Sequence, residues 1–193
     1  MLRQLLLPYQ ADLPEGLRQA LAEDNRKADR FMIALLLLHW VFAATVMAFS
    51  HGTYLLGFAA GGLTFGAALA GYLLFPGQAV SRIVIAVSLM VFSAIFIQQH
   101  LGRIEMHFHI FAALAFLLRY RDGVPVLAAV VTTALHHLVF NYCQVNGIAL
   151  FGTDLMVFNY GTGLDMVFLH AAFVVVEAVG LWMILHDQLT QFA

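Results

Sequence analysis

Residues 31–50 read FMIALLLLHWVFAATVMAFS, a run of twenty residues without Asp, Glu, Lys or Arg. An α-helix needs about 20 apolar residues to cross the hydrocarbon core of a bilayer, so this stretch predicts a membrane span. Further apolar runs follow, separated by turn residues or short polar segments. Together they predict an all-α integral membrane bundle of about six transmembrane helices, at 31–50, 53–75, 79–100, 104–120, 123–142 and 165–186.

The overall composition agrees with a chain that lies in lipid. Hydrophobic residues make up 62% of the 193, charged residues only 10%, and the mean hydropathy is +0.87. Nine basic against eleven acidic residues give no basic stripe, which argues against a nucleic-acid partner. The single cysteine, Cys143, excludes an internal disulfide and a Cys-rich metal site, so metal ligands would have to be imidazoles and carboxylates.

Residues 1–30 differ from the rest of the chain, because they hold five of its nine basic residues. The stretch Asp12-Leu13-Pro14-Glu15 resembles a capping box, so we expect a short polar or amphipathic helix on the cytoplasmic side. The apolar run at 5–7 is halted by Pro8 and followed by charged residues, which is not the pattern of a signal peptide. Residues 31–193 are then expected to form one transmembrane domain.

The distribution of basic residues predicts the orientation in the membrane. With six crossings, eight of the nine basic residues fall on one side and only Arg103 on the other. Basic residues are enriched in cytoplasmic loops, so both termini are expected in the cytoplasm and residues 143–164 outside it.

Several histidines and one carboxylate are predicted to lie near the outer membrane face. At about 1.5 Å of rise per residue, the ends of three successive spans bring them to depths of about 5 to 9 Å. The best-supported set is Glu105, His109, His136, His137 and His170, with His100 and His107 as further candidates. The weakest candidates are His107, because of its position on the helical wheel, and His51, in an exposed loop.

Ionisable groups inside a membrane need partners, and a bound transition metal uses every imidazole lone pair. Copper is the favoured ion, with zinc or iron as alternatives. Glu105 and His109 are four residues apart and share a helix face, whereas His107 points almost oppositely. His136 and His137 are about 100° apart, so one of them is expected to support the other. The alternative is that each histidine only hydrogen-bonds a carbonyl or a neighbouring helix.

A second tier is predicted nearer the middle of the membrane. His39 in the first span and Glu177 in the sixth both lie roughly 16 to 18 Å from the outer end. Glu177 and His170 are seven residues apart on one face, so Glu177 is expected to link the outer site to the membrane centre. A buried hydrogen bond between His39 and Glu177 is the simpler alternative.

The second half of the sequence resembles a membrane region found at the N-terminus of some bacterial methyl-accepting chemotaxis proteins, diguanylate cyclases and histidine kinases. The motifs that carry the resemblance are Gln99-His100, Gly102, Ile104-Glu105-Met106-His107-Phe108-His109, Tyr120-Arg121-Asp122, His136-His137-Leu138-Val139-Phe140-Asn141-Tyr142, Val157-Phe158-Asn159 and the stretch from Met166 to Glu177. The resemblance implies a sensory input module in a bacterial inner membrane, coupled to a cytoplasmic signalling domain of a longer receptor. No such domain occurs in the sequence up to Ala193, which makes the signalling output an expectation.

These patterns favour a non-enzymatic sensor that binds a metal ion through the outer cluster. Non-covalent binding of haem b by two histidines is one alternative. A membrane oxidoreductase with a dinuclear centre is another, although few carboxylates are available for it. The pairs Gly57/Gly61 and Gly62/Gly66 are typical of close helix packing, either within the bundle or between two copies in a homodimer.

Overall fold

A computed structural model of the chain describes residues 14–150 and 152–192, apart from the side chains of residues 190 and 192. Six α-helices account for most of them. These are α1 Glu15–Phe42, α2 Tyr54–Leu74, α3 Ala79–Gln99, α4 Ile104–Phe116, α5 Gly123–Val145 and α6 Leu164–Phe192. A π-helical turn, Ala43–Met47, extends α1, and a 3-10 turn, Leu117–Tyr120, extends α4. The loop after α5 holds a small antiparallel hairpin of β1 Ala149–Leu150 and β2 Thr153–Asp154.

Five of the described helices are long and apolar enough to cross a membrane, which confirms the all-α class. They are Glu15–Met47, Tyr54–Leu74, Ala79–Gln99, Gly123–Val145 and Leu164–Leu189. The run expected at 104–120 differs, because its α-helix has only 13 residues before the 3-10 turn. Arg121 ends this element with a left-handed φ of 48°, and the Asp122 side chain then accepts the Val124 amide at the start of α5.

The N-terminal boundary also differs from the expected one. One helix runs from Glu15 through residues 30 and 31 without a break, so the polar lead-in and the first apolar run form a single element. Asp12, the expected capping residue, lies outside the described residues.

Polar contacts at the two ends of the bundle show the directions of α3, α4 and α5. At one end, called here the arginine end, Arg82 at the start of α3 pairs with Asp122 at 2.7 Å. At the other, called the hairpin end, Gln98 of α3 bonds to the backbone of Asp154 and Met156 at 2.8 and 2.9 Å. Since α3 and α5 therefore start at the same end, α4 with its 3-10 turn returns across the bundle between them.

Several glycines of α2 pack inside the bundle, but Gly66 is exposed, with nothing within 4 Å of a Cβ atom added there. A Cβ atom added at Gly57 would clash with the carbonyl group of Ala43, which lies in the π-helical turn. That carbonyl accepts a hydrogen bond of 2.9 Å from the Gln99 amide of α3. The ring of Trp40 covers Gly61 and Gly62, where a Cβ would lie 2.9 and 3.1 Å from it. Packing within the bundle, the first of the two interpretations, therefore accounts for Gly57, Gly61 and Gly62 but not for Gly66.

Candidate functional site

Three helices bring one histidine each to the same place near the hairpin end. The rings of His107 in α4, His137 in α5 and His170 in α6, called here the histidine triad, form a nearly equilateral triangle. Their centroids are 5.3 Å apart for His107 and His137, 5.2 Å for His107 and His170, and 5.6 Å for His137 and His170. His107 and His137 are each only 3% exposed.

Each triad histidine is oriented by its own helix. The Nδ1 atoms of His107, His137 and His170 lie 3.1, 2.9 and 2.9 Å from the backbone carbonyl four residues earlier. A carbonyl only accepts hydrogen bonds, so Nδ1 carries the proton and the lone pair is on Nε2. This is the usual orientation of a metal-binding histidine, whose second nitrogen is fixed by an outer hydrogen bond.

The Nε2 atoms of the triad differ in what they contact. Tyr160 lies 2.8 Å from Nε2 of His170. Burial raises the pKa of the Tyr160 phenol, which therefore stays protonated and donates to this nitrogen. The Nε2 atoms of His107 and His137 are buried and have no hydrogen-bond partner among the described residues. An unsatisfied buried acceptor costs about 1–3 kcal/mol, so both atoms favour a ligand.

The loop after β2 covers the triad with one aromatic ring. Phe158 stacks on His107 with an interplanar angle of 13° and lies 4.7 Å from the His170 ring. The Gln144 side chain holds this loop, since its oxygen accepts the amides of Val157 and Phe158 at 2.9 and 3.1 Å. The ring of His136 lies 5.2 Å from that of His137, on the α5 side of the triad.

Two apolar cavities flank the triad, one on each side of α6. The cavity between α4 and α6 measures about 310 Å³, and all three triad histidines line it together with Tyr160. The cavity between α5 and α6 measures about 210 Å³, and His137 and His170 line it. Neither lining contains a charged side chain of Asp, Glu, Lys or Arg.

A second histidine pair lies deeper and connects α4 to α1 and α3. Nε2 of His39 in α1 is 2.7 Å from Nε2 of His109 in α4, and Nδ1 of His109 is 2.8 Å from the Ser93 hydroxyl in α3. Nδ1 of His39 lies 2.6 Å from the Leu35 carbonyl. The alternative hydrogen bond between His39 and Glu177 is therefore absent, since both ring nitrogens of His39 bond elsewhere. One carboxylate oxygen of Glu177 is buried without a partner among the described residues.

The remaining expected ligands lie away from the triad. Glu105 is exposed and pairs with Arg103 at 3.2 Å. His109 belongs to the deeper pair, and His100 packs edge-on against His51 with centroids 5.7 Å apart. The structure thus groups His107, rather than Glu105 or His109, with His136, His137 and His170.

A polar network at the arginine end was missed by the sequence interpretation. The Asp29 carboxylate accepts the Tyr120 hydroxyl at 2.9 Å, the Gly77 amide at 2.7 Å and the Ser81 hydroxyl at 3.1 Å. The three- and four-residue spacing of Asp29, Met32 and Leu36 marks one helix face, and this signal predicts that Asp29 is buried.

Two further findings concern the arrangement of metal-binding side chains and the similarity of the chain to known proteins. Within residues 14–150 and 152–192, no group of three or more His, Cys, Asp or Glu side chains is already arranged to hold a metal ion. No protein-family model, no curated protein and no solved structure matches the chain. The candidate site therefore rests on the geometry of the chain itself.

Proposed function

We propose that this chain is a membrane-embedded ligand-binding module of a bacterial signal-transduction receptor, and that the histidine triad binds a metal ion, copper before zinc or iron. The observation that carries the proposal is the pair of buried, unpartnered Nε2 atoms of His107 and His137 beside the His170 ring. Their tautomers already present lone pairs on Nε2, which is the form that a metal requires.

The spacing of the rings supports the same proposal. A metal-to-nitrogen distance of about 2.0 Å puts each ring centre about 3.2 Å from the ion, so two rings at a tetrahedral angle have centres about 5.2 Å apart. The triad centroids are separated by 5.2 to 5.6 Å. Binding then requires the rings to turn until the three Nε2 atoms face one point, with Tyr160 released from His170. Among the described triad rings, His136 is in ring contact with His137 alone, so the proposed ligands are the three triad histidines.

We further propose six membrane crossings with both termini in the cytoplasm. The α-helical and 3-10 parts of α4 together span about 28 Å, close to the thickness of the hydrocarbon core. Arg82 and Arg121 form ion pairs at the arginine end, whereas Arg103 lies next to α4 at the hairpin end. Since basic residues favour the cytoplasmic side, the triad faces the periplasm in this proposal.

Signalling requires that the ligand bind one arrangement of the helices more tightly than another. The triad joins α4, α5 and α6, so closing three rings around an ion changes how α6 packs on its neighbours. Helix α6 runs on to the arginine end, and we propose it as the element that passes the signal to a cytoplasmic domain of a longer receptor.

Metal titration of the purified protein tests the proposal. Protein in detergent is titrated with copper and with zinc, and bound metal is measured by elemental analysis after gel filtration. His107→Ala, His137→Ala and His170→Ala should each abolish or greatly weaken binding, whereas the controls His51→Ala and His186→Ala should retain it.

Further variants separate the triad from the ligand set expected from sequence alone. Glu105→Gln and His109→Leu should leave metal affinity within about threefold of the wild type, because neither side chain lies in the triad. Wild-type protein that takes up neither metal would contradict the proposal. A Soret band in protein made with adequate haem would point to haem instead, and oxygen or quinone turnover by loaded protein to an oxidoreductase.

A further inference from the structure

We infer that the triad holds copper as Cu(I) and leaves one coordination position open to a small neutral π-acceptor molecule that enters from the lipid through the flanking cavities. This inference rests on the proposed metal site and names the oxidation state and the ligand class of that site. Three features of the molecule support it. They are the charge of the imidazole donors, the number of these donors, and the position of the two cavities beside the triad.

The donors around the proposed ion are all neutral. Three imidazoles bring no negative charge, the exposed Glu105 is paired with Arg103, and no carboxylate lines either cavity. The cost of burying an ion grows with the square of its charge, so a divalent ion costs about four times as much as a monovalent one. Imidazole suits copper, and a site without anionic ligands therefore favours Cu(I) over Cu(II) and Zn²⁺.

The number of donors leaves room for one more ligand. Three protein ligands with an open fourth position are the pattern of a reactive metal site, whereas structural sites are closed. The only other described polar side chain that contacts a triad Nε2 atom is Tyr160, whose neutral phenol is a weak ligand. An incoming molecule would thus meet the ion on the side of the cavities.

The cavities determine what kind of molecule reaches this position. Their walls are formed almost entirely by apolar side chains, which give an anion or a hydrated cation no compensating charge. Three of the lining side chains, Phe108, Phe168 and Phe173, are 64%, 69% and 61% exposed on the outer surface of the bundle. In a bilayer that surface contacts lipid, so neutral molecules that dissolve in lipid have the shortest route to the triad.

Carbon monoxide is a suitable ligand for a test, because it is neutral, dissolves in lipid and binds Cu(I) but not Cu(II) or Zn²⁺. Protein in nanodiscs is loaded anaerobically with Cu(I), and bound copper is counted by elemental analysis. Carbon monoxide is then added and its infrared stretching band is recorded with the ¹²C and ¹³C isotopes. We expect one carbon monoxide per copper, with a band that shifts on isotope exchange and is absent from His137→Ala.

A matched pair of variants tests the route through the cavities. Val174 lines both cavities, so Val174→Phe should keep the copper but weaken carbon monoxide binding at least tenfold. Val176 is 70% exposed and lines neither, so Val176→Phe should behave as wild type. Ala134→Phe, in the 210 Å³ cavity alone, serves as a second filling variant if Val174→Phe does not fold.

The outcomes separate this inference from the proposed function. Copper uptake without an isotope-sensitive band would overturn the open position while the metal site stands. Equal carbon monoxide affinity in wild type and both filling variants would overturn the route through the cavities. Absence of copper uptake by the wild type would overturn both the metal site and this inference.

Discussion

Nε2 of His39 and Nε2 of His109 lie 2.7 Å apart, a hydrogen bond that joins α1 to α4. His39 donates its Nδ1 proton to the Leu35 carbonyl, so its Nε2 must accept, and His109 is the donor. Nδ1 of His109 is then an acceptor, so the single hydroxyl proton of Ser93 points to this nitrogen at 2.8 Å rather than to the Leu89 carbonyl at 3.2 Å. When both histidines are neutral, this row of hydrogen bonds across three helices has one direction only, with each donor on the Ser93 side and each acceptor on the Leu35 side.

Replacement of the serine tests that direction. Ser93→Ala removes the donor and leaves Nδ1 of His109 unsatisfied, so we expect a loss of about 1 kcal/mol in the free energy of unfolding. Ser88→Ala in the same helix is the control, because the Ser88 hydroxyl makes only a 3.5 Å contact with the Thr64 carbonyl. Denaturant unfolding in detergent, followed by circular dichroism, measures the difference. Equal stability of the two variants would contradict the assigned donors and acceptors of these hydrogen bonds.

The buried ion pair at the arginine end should matter much more. The side chains of Arg82 and Asp122 are 5% and 0% exposed, and Asp122→Ala leaves a buried guanidinium without its charge partner. Breaking such a pair costs about 3–5 kcal/mol. The exposed pair of Arg18 and Glu15 is the comparison, since Glu15→Ala should cost at most about 0.5 kcal/mol. A loss below about 1 kcal/mol for Asp122→Ala, in the same unfolding assay, would argue against this network as a structural element.

Gly102 should be essential for placing the loop that covers the triad. Its φ is +78°, and a Cβ there would lie 2.8 Å from the Phe158 backbone. Gly147 has a φ of +63° but open space around it, which makes it a matched control. Both Ala variants carry about 1–2 kcal/mol of left-handed strain, but only Gly102→Ala also displaces Phe158 from the histidines. We expect copper affinity to fall roughly tenfold in Gly102→Ala, about 1.4 kcal/mol, and to stay unchanged in Gly147→Ala.

The orientation in the membrane is tested by thiol labelling. In a Cys143→Ser background, Gly147→Cys should react with a membrane-impermeant maleimide added to intact spheroplasts, and Gln78→Cys should react only after lysis. The two positions lie at opposite ends of the bundle, in the loops after α5 and before α3. Reporter tags at either terminus should be cytoplasmic. Reaction of residue 147 only after lysis would invert the membrane orientation and move the triad to the cytoplasmic side.

Several features follow from the sequence because they depend on local composition. The apolar runs at 53–75, 79–100 and 123–142 correspond to helices that begin or end within a few residues of the expected positions. Apolar length is a property of each segment alone, and Gly, Pro and Asp mark its ends through their own backbone preferences. The separation of charge between the two ends is likewise visible in the linear order of residues.

The membership of the site is a property of the tertiary structure. The helical repeat correctly puts His107 and His109 on opposite faces of α4. The repeat gives no information about which face turns toward α5 and α6 and which toward α1 and α3. Packing decides that His107 joins His137 and His170, while His109 joins His39 and Ser93.

The sequence by itself therefore determined that this chain is built from apolar helices with imidazoles gathered near one end. Only the tertiary structure decided which imidazoles meet, how short α4 is and where the cavities lie. The physical reason is that helix formation and hydropathy depend on neighbours along the chain. Ring contacts and cavities depend instead on the rotation of each helix about its own axis, which is set by contacts such as Gly57 on Ala43 and Arg82 on Asp122, between residues distant in sequence.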